Sequence, residues 1–193
     1  MNYLAHIFLS GTDAQLQVGN FIGDFVKGSQ HANFPEKIQQ GILLHREIDA
    51  FTDTHPVVRE IVAGLRPSFG RYSGIIADMY FDYMLASDFD LFSPQISLNS
   101  FARRFYASTL WNYRWLPERV QGFLFHFIST NRLKQYASLQ GLHTSLEIMA
   151  NYKIKSLQPQ QTIQYLVENE KSLREGFHEF MPDVIQMVSV IRG

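Results

Sequence analysis

Hydrophobic residues recur along this chain at spacings of three and four, the pattern of helices that bury one face. Short stretches rich in Pro, Gly, Ser and Asn separate these segments, and none of the segments alternates strictly as a half-buried strand does. The pattern predicts an all-α, multi-helix globule that forms a single domain over residues 1–193. The predicted helices are about residues 2–9, 14–26, 35–52, 57–65, 74–86, 100–113, 117–130 and 139–152, with one or two more from 159–179 and 183–191.

The third predicted helix places polar groups on its buried face. Ile38, Ile42, His45 and Asp49 in GILLHREIDAFTDTHP follow one another at spacings of four, three and four, so they form one stripe at 100° per residue. An unpaired polar group buried there costs roughly 1–3 kcal/mol, and an ion costs more. Either His45 and Asp49 satisfy each other as a structural pair, or they bind something else.

Three other apolar helices carry the same kind of residue. Asp78 and Asp82 lie one turn apart in GIIADMYFDYML, Asp24 stands in VGNFIGDFVKG, and His6 stands in NYLAHIFL. Each of these could be a satisfied polar group of the core. Together they are what a metal site in a helical bundle requires, because its ligands project inward from facing helices. Imidazole and carboxylate ligands without sulfur suit Mn, Fe, Zn or Mg.

Composition narrows the class of protein. The chain is 46% hydrophobic and contains no cysteine, which excludes a disordered chain, a disulfide framework and a thiolate metal site. The apolar start MNYLAHIFLS lacks a basic leader, and no run approaches the ~20 apolar residues of a membrane span. We therefore expect a cytoplasmic protein that spans no membrane.

Charge is unevenly distributed. The net charge of −1 gives no general affinity for nucleic acid or membranes, but residues 101–136 hold six Lys/Arg and one acid, a local charge of +5. An acidic partner could bind there, or these side chains form a solvated face. We interpret the interleaved aromatic residues as core. The arginines concerned are Arg103, Arg104, Arg114 and Arg119.

Four motifs together resemble one known family. MNYLAHIFLS, GNFIGDFVKG, GILLHREIDAFTDTHP and IADMYFDYMLA, spread over roughly residues 1–90, are similar in order and separation to motifs of the acyl carrier protein phosphodiesterases, also called acyl carrier protein hydrolases. The resemblance implies a helical fold related to the HD-type metal-dependent phosphohydrolases. It also implies a divalent metal, typically Mn²⁺, and hydrolysis of the phosphodiester that joins 4'-phosphopantetheine to a serine of holo acyl carrier protein. The motif positions are His6, Asp24, His45, Asp49 and Asp78.

The resemblance and the pattern together give a hypothesis for each site residue. His6, Asp24, His45 and Asp78 are expected ligands, while Asp49 and Asp82 are ligands or acceptors that orient the histidines. The expected catalytic residues are Asp24, His45, Asp49 and Asp78, of which an unliganded aspartate could act as base for the attacking water.

Phosphate also needs donors from the protein. Arg46 and Lys27 are the nearest in sequence to the motif histidine and aspartate, and His55 before Pro56 could orient substrate or donate a proton. The alternatives are solvated surface charges for Arg46 and Lys27 and a simple turn for His55.

Two other functions remain open at this stage. An HD-type hydrolase of a small nucleotide or other phosphoester would have the same ligands in a different pocket. A non-catalytic helical protein that binds a structural ion, or takes part in an interaction, would have the ligands without the reaction.

Overall fold

The computed structural model describes residues 1–152 and 154–193, and over these residues it contains helices and no strands. The predicted all-α class is confirmed, while the relation to HD-type hydrolases stays a prediction. Short 3₁₀ helices occur at Gly23–Phe25, Gly28–Asn33, Gly70–Tyr72 and Tyr113–Trp115. The α-helices are α1 (Tyr3–Leu9), α2 (Ala14–Phe21), α3 (Glu36–Thr54), α4 (Pro56–Phe69), α5 (Ser73–Ser87), α6 (Phe89–Phe92), α7 (Leu98–Trp111), α8 (Glu118–Ser129), α9 (Arg132–Gln135), α10 (Leu139–Tyr152) and α11 (Pro159–Arg192).

Helix α4 extends four residues beyond its predicted end, the short helices α6 and α9 were not predicted, and α2 and α11 also differ from the prediction. Helix α2 was predicted to extend to about residue 26 but ends at Phe21. Asp24 therefore lies in a separate 3₁₀ turn, Gly23–Phe25. Helix α11 is one continuous helix that passes through Pro182. Proline removes one backbone hydrogen bond from a helix interior, but the buried side chains of α11 on both sides of Pro182 pack against the rest of the molecule.

Helix α5 runs through the centre of the molecule. Its side chains are buried almost all round, and α1, α4, α6, α10 and α11 pack against it. The Tyr80 hydroxyl, which is fully buried, donates a hydrogen bond of 2.6 Å to the carbonyl oxygen of Thr162 in α11. Buried side chains from all of the α-helices described above join one hydrophobic cluster. The helices that carry the candidate site therefore share a rigid core.

Helices α2 and α3 cross at very short distance. A methyl group on Gly19 would collide with the carbonyl oxygen of Ile38, and one on Gly41 would collide with that of Leu16. Glycine at both positions lets the two backbones touch. This crossing holds the C-terminal end of α2 and the 3₁₀ turn after it against the middle of α3, where His45 lies.

Within residues 1–152 and 154–193, no helix is both long enough and apolar enough to cross a membrane.

Candidate metal centre

Two histidines from different helices stack at the centre of the site. His6 of α1 and His45 of α3 are both buried, and their ring centroids lie 3.9 Å apart with an angle of 18° between the planes. Asp49 follows His45 by one turn of α3. His6, His45 and Asp49 each offer one ligand atom, and these three atoms lie within 4.8 Å of one another. This is a group of residues that could hold a metal ion.

Asn20, at the end of α2, fixes the orientation of both rings. Its side-chain Oδ1 lies 2.8 Å from His6 Nδ1, and its backbone oxygen lies 2.8 Å from His45 Nδ1. The Asn20 amide also donates to Ser10 Oγ at 2.9 Å, and the Ser10 hydroxyl donates to the His6 carbonyl. Because Oδ1 therefore faces His6, both histidines donate from Nδ1, and Nε2 is the atom of each ring that can bind a proton or a metal ion.

Both Nε2 atoms face the same small region. His45 Nε2 is buried and has no hydrogen-bond partner among the described residues, and Asp49 Oδ2 lies 3.2 Å and Asp24 Oδ1 3.5 Å from it. His6 Nε2 lies 3.1 Å from Asp49 Oδ1 and 3.1 Å from the Met1 carbonyl oxygen. With the proton on Nδ1, all of these atoms are acceptors, so either a proton on Nε2 or another cation would reduce the repulsion between them. The donor set fits a divalent cation.

The predicted residues Asp24 and Asp78 contact different members of this centre. Asp24, on the 3₁₀ turn, is 66% exposed, so it joins the buried centre to solvent. Asp78 Oδ1 of α5 lies 3.1 Å from the amino nitrogen of Met1, which also lies 3.7 Å from Asp49 Oδ1. Of the predicted residues, His6, His45 and Asp49 form the close group, Asp24 adjoins it at His45, and Asp78 is joined to it through the Met1 amino group.

The carboxylates dominate the electrostatics of the centre. Burial alone would lower the pKa of His45, but Asp24 and Asp49 raise it to about 9. Burial lowers the pKa of His6 to about 4, although Asp49 acts in the opposite direction. The pKa of Asp24 is held below its usual range by His45. His6 is therefore neutral at pH 7, whereas His45 Nε2 attracts either a proton or another cation.

Asp82 has a different role from the other carboxylates. It is buried, and its two oxygens accept hydrogen bonds from the backbone N–H groups of Leu4 and Ala5 at 2.8 and 3.0 Å. These groups belong to the first turn of α1, so Asp82 caps that helix from α5. Burial raises the pKa of Asp82 to about 7. Asp82 therefore positions the helix that carries His6, and both of its oxygens are already engaged.

Of the three predicted phosphate contacts, Arg46 and Lys27 lie near the turn that carries Asp24. The Arg46 guanidinium donates from Nη2 to the carbonyl oxygens of Val26 and Gly28, at 3.1 and 2.8 Å, and so holds the loop that follows Asp24. Lys27 lies between these two residues and is exposed.

His55 lies apart from the histidine pair. It follows α3, six residues after Asp49, about 9 Å along the helix axis at 1.5 Å per residue. Its Nε2 lies 3.1 Å from Asp183 Oδ2 of α11, and its ring packs against Phe51 and Phe180. This arrangement makes His55 a contact between α3 and α11.

The basic segment, residues 101–136, contains both exposed and buried side chains, and its Arg132 is buried. Phe105 and Tyr106 are buried in the core, as interpreted from the sequence, whereas Trp111 is 90% exposed. The interpretation of all these aromatics as core residues was wrong for Trp111, the last residue of α7, which lies on the outer side of the helix. The four predicted partner-binding arginines, Arg103, Arg104, Arg114 and Arg119, are all exposed.

Sequence reasoning missed two residues that shape the centre, although both stand in the motif GNFIGDFVKG. Asn20 orients the two histidines, and the feature that could have identified it is a polar residue among apolar ones, four residues before Asp24. Gly23 packs against His45 so closely that any Cβ would collide with the imidazole ring. The glycine is needed for the approach of the Asp24 turn to His45.

Comparisons with known proteins identify the family. Residues 1–184 match the family model described as "Acyl carrier protein phosphodiesterase", which extends the resemblance well beyond residue 90. Proteins of that name from Yersinia pestis and Serratia proteamaculans are 29% and 27% identical over 186 residues, or 96% of both chains in each case. The one from Photorhabdus laumondii is 30% identical over 150 residues, 78% of this chain and 76% of its own. No solved structure matches significantly. The chain belongs to the acyl carrier protein phosphodiesterase family.

Proposed function

We propose that this protein is a divalent-metal-dependent phosphodiesterase acting on holo acyl carrier protein. It hydrolyses the bond between 4'-phosphopantetheine and the carrier serine and leaves apo acyl carrier protein. Family membership supports the reaction. The observation that carries the metal dependence is the convergence of His6 Nε2, His45 Nε2 and Asp49 on one region, with both Nδ1 atoms engaged by Asn20.

The charge of the site supports the same conclusion. A phosphodiester is an anion, and Asp24, Asp49 and Asp78 would repel it from the bare cluster. A bound divalent cation would offset most of this negative charge, and it would supply charge neutralisation at the phosphoryl oxygens and a lowered pKa for bound water. His6, His45 and Asp49 would hold this ion, with Asp24 and Asp78 beside it. Imidazole and carboxylate donors suit Mn²⁺, the ion that the family resemblance implies, and also Mg²⁺, Fe²⁺ or Zn²⁺.

The chain's own residues divide the remaining work. Asp24 is the exposed carboxylate beside His45, so it is the residue placed to accept the proton of the water that attacks phosphorus. The bond from phosphorus to the serine oxygen then breaks, and the protonated carboxyl returns the proton to that oxygen. Lys27, exposed three residues after Asp24, is the proposed donor to the phosphoryl oxygens. Arg46 keeps this loop in place.

A mass assay tests the function. Protein stripped with a chelator and reloaded with Mn²⁺ is incubated with holo acyl carrier protein, and the mass of the carrier is followed. We expect the carrier to lose the mass of phosphopantetheine, and we expect His45→Ala to abolish that loss. His143→Ala is the matched control, because His143 lies on α10 and bonds to Gln160. Turnover of nucleotides without loss of the prosthetic group would favour the alternative hydrolase, and no turnover of either would favour a non-catalytic protein.

A further inference from the structure

The outer faces of α7 and α8, with the connection between them, expose large apolar side chains. Trp111 is 90%, Phe125 64% and Leu110 44% exposed. The ring of Tyr113, two residues after Trp111, contacts that of Phe125 with centroids 6.0 Å apart, so the connection after α7 packs against α8. Tryptophan is usually well buried, and a group of exposed apolar residues is typical of an interaction site. We call this region the α7–α8 surface and add to it Arg103, Arg104, Arg114 and Arg119.

The charge of the α7–α8 surface specifies an acidic partner. Arg103 and Leu110 are seven residues apart, as are Arg104 and Trp111, so basic and apolar residues share the outer side of α7. In the part of the chain that the structure describes, the ion pairs of arginine and lysine involve none of the four arginines. The Arg114 guanidinium lies 5.0 Å from the centre of the Trp115 ring. Unpaired guanidinium groups beside exposed aromatics are suited to a protein surface rich in carboxylates.

The α7–α8 surface reaches the rim of the metal centre. Phe123 of α8 contacts Phe25, which is next to Asp24 in the 3₁₀ turn, and Tyr3 of α1, with centroids 6.0 and 6.2 Å apart. Arg119 precedes Phe123 by one turn and lies on the same side of α8. Of the four arginines of the α7–α8 surface, Arg119 is therefore the one that these contacts place beside the rim.

The position of the bond to be hydrolysed determines which part of the substrate lies against this rim. In the proposed function, which this inference assumes, the bond joins the phosphate directly to a serine of a folded protein. When that phosphate is in the site, the surface of the carrier around the serine must lie against the rim. We propose that the α7–α8 surface is the docking surface for an acidic face of the carrier protein. Arg119 is the contact nearest the scissile bond, and Trp111 and Phe125 are the apolar contacts farther out.

Binding to apo acyl carrier protein tests this proposal independently of catalysis. The affinity is measured by isothermal titration calorimetry for the wild type, Arg119→Glu and Trp111→Ala. Arg66→Glu on α4 and Tyr152→Ala on α10 are matched controls, because both side chains are exposed and lie outside the α7–α8 surface. We expect each test variant to weaken binding about tenfold or more, which is typical of Trp and Arg contacts, and each control to bind as the wild type does. The KM for holo carrier protein should rise in parallel.

The outcomes separate the two proposals. Test variants that bind as tightly as the controls, at unchanged thermal unfolding midpoints, would overturn the docking surface. So would a wild-type protein that binds no carrier. A protein that binds the carrier through Arg119 and Trp111 but never removes its prosthetic group would refute the proposed reaction and leave the docking surface supported.

Discussion

Replacing Asn20 with alanine removes the side chain that orients His6 and joins it to Ser10. Asn20 is fully buried, and its amide makes two hydrogen bonds, to His6 Nδ1 at 2.8 Å and to Ser10 Oγ at 2.9 Å. Leaving a buried polar group unpaired costs about 1–3 kcal/mol, and the substitution removes one partner from His6 and one from Ser10. We therefore expect the free energy of unfolding to fall by roughly 2–4 kcal/mol. Without its acceptor the His6 ring is also free to turn or to change tautomer. Loss of such an outer partner typically weakens metal binding about 10- to 100-fold.

Gln17 provides the matched control for this prediction. It lies on the same helix, one turn earlier, is also buried, and donates a 2.6 Å hydrogen bond to the carbonyl oxygen of Gly11, away from both histidines. Urea unfolding gives the stability of Asn20→Ala and Gln17→Ala, and calorimetric titration with Mn²⁺ gives their metal affinity. Both variants should lose stability, but only Asn20→Ala should lose affinity. Asn20→Asp keeps an acceptor for His6 Nδ1, so its affinity should exceed that of Asn20→Ala. Equal metal affinity in Asn20→Ala and Gln17→Ala would refute the assigned role.

Three further predictions follow from the site. Since the pKa of His45 is raised to about 9, a proton occupies Nε2 below that pH and competes with the metal ion. The affinity for Mn²⁺ should therefore rise about tenfold per pH unit from 7 toward 9, with about one proton released per ion. Calorimetry in buffers of different ionisation enthalpy measures this release, and its absence would contradict the prediction. Asp82→Ala should lower the free energy of unfolding by about 1–3 kcal/mol while the amount of metal bound per chain is retained; a variant of normal stability that binds no metal would instead identify Asp82 as a ligand. Gly23→Ala should displace the His45 ring and reduce turnover of holo carrier protein at least tenfold. Gly74→Ala is the control and should not reduce turnover, because the space around its Cβ position is open. Equal turnover in the two variants would be inconsistent with close packing of Gly23 against His45.

The fold class could be predicted because apolar periodicity depends on local sequence alone. Helix α10 was predicted with its observed bounds, Leu139–Tyr152. The end of α2 was not, because the turn after Phe21 depends on how closely Gly23 approaches His45, a contact between distant segments. Likewise the sequence left open whether one or two helices follow residue 159, and packing of the apolar residues around Pro182 keeps α11 continuous.

The site was predictable where one helix determines it and less so where several meet. The spacing of His45 and Asp49 placed both on the buried face of α3. The helical pattern of α5 could not tell whether Asp82 faces a cation or the first turn of α1, because that depends on how the two helices pack. Asn20 is uncharged, so the pattern of charged residues on buried faces did not include it. Its role depends on tertiary packing, because its side-chain oxygen contacts His6 of α1 and its backbone oxygen contacts His45 of α3.

The central claim is that one divalent ion, held by His6, His45 and Asp49, is required for hydrolysis of the carrier. Titration of Mn²⁺ into chelator-stripped protein, with bound metal and turnover of holo carrier measured in the same samples, tests it most directly. We predict that turnover is absent at the start, rises in proportion to bound metal, and is lost together with metal binding in His6→Ala and His45→Ala. Full turnover by the stripped protein, or unchanged metal binding in both variants, would contradict the claim.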